Sequence, residues 1–383
     1  METVESARRR TDLEALRGMA AIAVVIHHFL LAFAPRVSGF LPEYRDQDSL
    51  VGSLWFGLIN GKAAVYFFFV LSGYVLSIHF LRTGNLEQLR AGFIKRLPRL
   101  SFPVMLSCVL AYAVMQLDLL YCFQASQHTG SSWLRNLGFG HDLASFSPNL
   151  LKAITESVTV FLNGVNRYNS SLWSMQPEMA GSFLVMSCAV FFRVLLGMRH
   201  LLYAGALIFI IIARLDPMLC AFILGLFIAL AQTTHPDFRM LRSVSWILFL
   251  FGVYLCGYVT GTGYYRILQT LAMPVEQAYI IGGTFILTAT VFCPSNFSAL
   301  DGRLGKFLGQ QSFPTYLLHT TILGSISSFL YLRLLPVMAQ QLLLPVLLTC
   351  TLLLTVTLAL GMNRIDVWWV NFLNRRIRNA VSG

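Results

Sequence analysis

Charge is scarce in this chain. Asp, Glu, Lys and Arg together make up 12% of the 383 residues, against roughly 25% in an ordinary soluble domain, which excludes a water-exposed globular fold. Acidic residues are the scarcer sign, 17 against 28 basic. The basic ones are dispersed at the ends of apolar runs rather than gathered on one face, which excludes nucleic acid as a partner. The seven cysteines (Cys108, Cys122, Cys188, Cys220, Cys256, Cys293 and Cys350) are odd in number and widely spread, with no CxxC or CxxH spacing. Neither a disulfide framework nor a metal site is signalled. No fixed repeat, low-complexity run or appended soluble domain is visible, so a single membrane domain over residues 1–383 is the simplest organisation.

What fills the chain is apolar: 56% of it is hydrophobic and the mean hydropathy is +0.66. These values imply an all-α, polytopic membrane helix bundle in an endomembrane or the plasma membrane. With about 20 apolar residues needed per crossing, about ten spans are expected, near 13–34, 61–81, 100–120, 173–196, 200–214, 216–232, 243–260, 277–293, 313–332 and 341–363. The N-terminal METVESARRR resembles a signal peptide, but the run behind it continues to about residue 34, too long for a cleaved core, so a retained first span is expected. An N-inside arrangement places 19 of the 28 Lys and Arg inside. That agrees with the positive-inside rule and predicts both termini in the cytoplasm. Two longer polar stretches, 35–60 and 121–172, then lie outside. The second carries Asn169-Ser170-Ser171, a glycosylation sequon in a eukaryote.

Residues 16–30, LRGMAAIAVVIHHFL, set three ionisable groups in an apolar helix. The eleven steps from Arg17 to His28 turn 1100°, three full turns plus 20°, and climb about 16 Å, so both side chains share one face. His27 points about 100° away and is expected to pack. Ionisable groups at bilayer depth cost on the order of 3 kcal/mol or more each, so they mark a site, a pathway or a pairing. Arg17 can snorkel to the surface. His28 lies too deep for that and suits proton transfer. Physics alone leaves an enzyme and a proton-coupled secondary transporter equally open, with a non-catalytic lipid-binding scaffold as a third reading.

Five segments carry a resemblance. Leu13-Glu14-Ala15-Leu16-Arg17-Gly18 through His28, with its arginine and histidine ten residues apart, is similar to the first helix of the acyltransferase 3 family of integral-membrane O-acyltransferases. Phe68-Phe69-Val70-Leu71-Ser72-Gly73-Tyr74 and Arg96-Leu97-Pro98-Arg99 resemble that family's second-span and paired-arginine motifs. Leu172-Trp173-Ser174-Met175-Gln176-Pro177-Glu178, and Gly309-Gln310-Gln311-Ser312 through Tyr316-Leu317-Leu318-His319, resemble its later ones. The chain departs at Glu14 and Ala15, where relatives have Asp and a small residue, and at Tyr66, where many have Asp or another small polar group.

The resemblance implies transfer of an acyl group, often acetyl, from cytoplasmic acyl-CoA as co-substrate to a hydroxyl-bearing acceptor, with no metal. His28 is then the general base or an acyl carrier. Arg96 and Arg99 present guanidinium forks to the CoA phosphates, and Arg17 holds the phosphate end of the donor or pairs with Glu14. Glu178, about 9 Å deep from the outside, is expected to face His28 and to orient the acceptor or steady the imidazolium. His319 is a cofactor contact or a packing residue, Trp173 and Tyr316 are candidate substrate contacts, and Ser72 and Gly73 permit close helix approach. The acceptor is a lipophilic small molecule, a sugar or a lipid, within a biosynthetic pathway such as that of a secondary metabolite.

Overall fold

The computed structural model describes residues 10–139, 143, 145–195, 205, 207–208, 211–212 and 216–381. Among the described residues every regular element is a helix. The main ones are α1 (Thr11–Phe33), α2 (Gly61–Thr83), α3 (Leu86–Gln116), α4 (Cys122–Thr129), α5 (Ser132–Asn136), α6 (Leu150–Asn163), α7 (Met175–Leu195), α8 (Pro217–Thr234), α9 (Arg242–Cys256), α10 (Val275–Phe292), α11 (Arg303–Ile322), α12 (Ser328–Leu334) and α13 (Gln340–Val381).

Sequence punctuation sets the ends. The Asn60 side chain accepts hydrogen bonds from the backbone of Lys62 and Ala63 at the start of α2, and Gly84 closes it in the left-handed conformation. Asp216 caps α8, with Pro217 at the first helical position, where the missing N–H costs nothing.

Seven described helices are long and apolar enough to cross a membrane: α1, α2, α3, α7 with its preceding turn, α8, α10 and α13. The expected ten are therefore not all found. The span expected at 200–214 lies largely outside the described residues. The one at 243–260 is α9, with 15 residues, short of a full crossing. The one at 313–332 straddles α11, a five-residue π-helical turn over Leu323–Ser327 and α12. Its polar residues, among them Gln311, Ser312, Thr315 and Thr320, lower its hydropathy, and they are buried within the protein.

α1 and α11 form the central pair and run parallel. Thr11 Oγ1 donates to Asp301 at 2.7 Å, Arg17 to the Gly309 carbonyl at 2.8 Å, and His28 meets His319 further along. Small residues make the approach possible: a Cβ on Gly18 would stand 2.5 Å from the Leu308 backbone, and one on Gly305 would stand 2.6 Å from the Thr11 carbonyl. Gly305 and Gly309 are four apart, the spacing that lets membrane helices touch backbone to backbone. α2 runs antiparallel to α1, with Gly61 against the His27 side chain, and crosses α8 where Gly73 meets Gly225.

The principal core, with Val24, Phe69, Val70, Phe222 and Leu317 at 2% exposure or less, lies between these helices. A second cluster, including Phe29, Phe33, Leu134 and Leu137, packs α4 and α5 over the end of α1 that carries His28. Tyr66, one of the departures noted in the sequence, is fully buried and packs against Phe69 and Tyr279.

Candidate active site

His28 sits near the far end of α1, where α11 and the α5 segment converge on it. Its Nδ1 lies 2.8 Å from His319 Nε2. The two rings are 12° from parallel with centroids 5.0 Å apart, and with that short N–N distance they meet edge to edge. His319 Nδ1 lies 2.6 Å from the Tyr316 carbonyl oxygen, one turn back on its own helix. His319 is fully buried, and both of its ring nitrogens are engaged inside the protein, which leaves neither for a cofactor. His28 is partly exposed. His27 is 3% exposed and packs edge-on against Phe40 at 4.7 Å, as its 100° offset predicts. Of these three histidines, only His28 is open to a substrate.

Trp133, on α5, stacks on the His28 ring at 4.9 Å with the planes 11° apart. Sequence reasoning did not single it out, since a tryptophan in a polar loop gives no sign of what it folds onto. Its position is fixed by two local devices. Ser131 caps α5 by accepting from the Leu134 N–H and donates its hydroxyl to the Leu31 carbonyl of α1 at 2.6 Å. Gly138 has φ +72°, and a Cβ there would stand 2.7 Å from the indole nitrogen. Only glycine both adopts that φ readily and leaves the space.

Tyr316 and Trp173 were expected against substrate. The Tyr316 hydroxyl lies 2.8 Å from Ser174 Oγ and donates to the Ser171 carbonyl, so its polar end is spent on the framework. Trp173 is partly buried against the main core. Asn169 lies at the centre of the same framework, 1% exposed. Its Nδ2 donates to the Leu317 carbonyl at 2.7 Å and to Ser107 Oγ, and its Oδ1 accepts from Thr320 and Ser171.

That placement corrects the depth expected for Glu178. The segment before α7 starts inside the bundle, at the level of Leu317 and Thr320, so Glu178 falls on the Arg17 side of His28 rather than beside it. Glu178 accepts from Ser72 at 3.0 Å, and Ser72 is eleven residues, about 16 Å, along α2 from the Gly61–His27 contact. This is the level of Arg17. There Glu178 forms an ion pair with Arg96, whose Nε donates to Ser182 Oγ at 2.9 Å. The structure thus brings Arg96 to Glu178 and His28 to His319, and does not pair Glu178 with His28. Both members of the Arg96–Glu178 pair are nearly buried, with side chains 14% and 13% exposed. Arg17 bonds Glu14 at 2.6 Å with its side chain 37% exposed, and Arg99 is exposed. Among the described residues no three His, Cys, Asp or Glu side chains gather as a metal site.

The site therefore has two polar ends joined by one face of α1: a histidine pair under an indole, and a set of guanidinium and carboxylate groups about 16 Å away along the helix. Compared with known families, residues 10–364 match the model described as an acyltransferase domain, of the acyltransferase 3 type. No curated protein matches the chain, and no solved structure does.

Proposed function

The chain belongs to the acyltransferase 3 family, and from that premise we propose that it is a multi-pass membrane O-acyltransferase, transferring acetyl from cytoplasmic acetyl-CoA to a hydroxyl on a lipophilic acceptor, with His28 as general base. The observation that carries this reading is the site itself: one partly exposed imidazole, held at Nδ1 by His319 and on its face by Trp133, with Nε2 left for substrate.

A hydroxyl is a weak nucleophile at neutral pH, so its proton must leave as it attacks. Nε2 of His28 takes that proton while the acceptor oxygen adds to the thioester carbonyl. The resulting tetrahedral centre collapses, the C–S bond breaks, and the departing sulfur recovers the proton from the imidazolium. The products are an ester and the free thiol of CoA. Trp133 favours the step because its face attracts the imidazolium more than neutral imidazole, a cation–π contact made only after proton transfer.

The donor enters from the Arg17 end. Arg99 keeps an exposed guanidinium group there for the phosphates, beside the half-exposed Arg17–Glu14 pair, and the 16 Å to His28 is a separation an extended pantetheine arm bridges. Arg96, spent on Glu178, holds α3 to α7 and shapes the wall of this entrance.

The test is incubation of membranes bearing the native protein or His28→Ala with radiolabelled acetyl-CoA, followed by extraction of organic-soluble products. Label in product from the native protein, and a loss of about 100-fold or more in the variant, is the expected result. Equal labelling by the two, or CoA-independent uptake of a solute that requires His28, would sink the proposal. Comparing extracts from a His28→Ala strain with those from a knockout then identifies the acceptor.

A further inference from the structure

The hydrogen bonds around His319 fix where its proton sits. A carbonyl oxygen only accepts, so the 2.6 Å contact between His319 Nδ1 and the Tyr316 carbonyl requires a proton on Nδ1. A neutral imidazole carries one N–H, and a charged ring at a fully buried position is costly. Nε2 of His319 is therefore a bare lone pair. The 2.8 Å contact to His28 Nδ1 then requires the proton to sit on His28 Nδ1, which leaves Nε2 of the partly exposed His28 as the bare proton acceptor.

We propose that His319 is the positioning residue of this site, a neutral imidazole that fixes the tautomer and orientation of His28, and not a contact for the acyl donor. The proposal rests on the reading of His28 as the base. The chain of bonds runs Tyr316 carbonyl, His319, His28, and its order is set by the carbonyl at one end. Holding a catalytic imidazole in the right tautomer from its far nitrogen is the task a buried acid performs in hydrolytic triads. Here a neutral ring performs it, so no carboxylate is placed against His28. When His28 takes the acceptor's proton, its bond to His319 becomes charge-assisted and strengthens. The pair thus stabilises the reacting state more than the resting one. Trp133 closes the remaining freedom by holding the ring plane within 11° of its own.

The experiment uses the full-length protein in lipid nanodiscs with ¹⁵N-labelled histidine rings, comparing the native chain with His28→Ala, His319→Leu and His319→Gln. In the native protein, the ring signals removed by His28→Ala should belong to a Nδ1–H tautomer with unprotonated Nε2. His319→Leu should convert His28 to a mixture of tautomers, whereas His319→Gln, whose Oε1 falls near the lost Nε2, should keep the Nδ1–H form. Acetyl transfer from labelled acetyl-CoA to organic-soluble acceptors of the source membranes provides the second readout. His319→Leu should lower kcat by about 10- to 100-fold, part of what general-base catalysis supplies, with the acetyl-CoA KM unchanged, and His319→Gln should recover most of it. A native His28 protonated at Nε2, or a His319→Leu variant with raised acetyl-CoA KM and unchanged kcat, would overturn the assignment. If His28→Ala retained full transfer, the base reading would fail, while the tautomer signals would still decide the pairing.

Discussion

At the residue scale, three histidines and one tryptophan decide how the site is read. His27 and His28 are sequence neighbours with opposite fates, because a 100° step on a helix sends one ring among Phe40 and Phe56 and the other to α11. In the proposed transfer, Trp133 supplies an aromatic face that matters only once the imidazole is charged. Trp133→Leu should therefore lower kcat by roughly 5- to 30-fold, about 1–2 kcal/mol of transition-state stabilisation, with little change in acetyl-CoA KM, measured in the labelled-transfer assay. Asn169 makes a different point. As a buried crosslink with both ends of its amide bonded, it leaves no room for a glycan, so glycosidase treatment should not shift the mobility of the protein. Asn169→Asp, which keeps the shape but removes the two Nδ2–H bonds, should cost about 1–3 kcal/mol in denaturant unfolding in detergent.

At the scale of elements, helix pairs are held by two kinds of contact. The Arg96–Glu178 pair ties α3 to α7 with both groups mostly removed from water. Removing one partner leaves the other charge stranded, so Glu178→Leu or Arg96→Met alone should destabilise by about 3–5 kcal/mol, while the double variant recovers most of the loss. Thermal unfolding of the four proteins in one detergent checks this cycle. Where α2 crosses α8, contact is made by absence of side chain. A Cβ on Gly225 would fall on the Val70 carbonyl and 2.7 Å from the Tyr74 backbone nitrogen. Gly225→Ala should then cost about 1–3 kcal/mol as an overpacked interface, whereas Gly361→Ala, with open space around it, should cost nothing measurable.

At the scale of the whole molecule, the parallel pairing of α1 with α11 fixes which chain segments share a membrane face. Because Thr11 bonds Asp301, cysteines placed at Arg10 and Arg303 must react with an impermeant maleimide from the same side, and one placed at Trp55, beyond the opposite end of α1, from the other. The positive-inside count predicts that the shared side is the cytoplasm. Labelling of both from outside would reverse the orientation and with it the proposed entrance for CoA. Labelling from opposite sides would overturn the helix pairing itself.

Much of this protein was legible without coordinates. The scarcity of charge and the apolar run lengths determined a helical membrane protein, and the 1100° between Arg17 and His28 determined that both lie on one face of the first helix. Five motifs in order pointed to the acyltransferase family before residues 10–364 matched it. These properties are local: they depend on composition, helical geometry and short spacings. What only the tertiary structure decided is who partners whom. That His28 meets His319, 291 residues away, that a loop tryptophan covers it, and that Glu178 belongs to Arg96 all depend on how far the chain sinks into the bundle between spans. Glu178 lies away from His28 for that reason, since Asn169 anchors its segment to backbone and hydroxyl groups inside the fold. No periodicity in the sequence records a hydrogen bond of that kind, because its partners are set by packing.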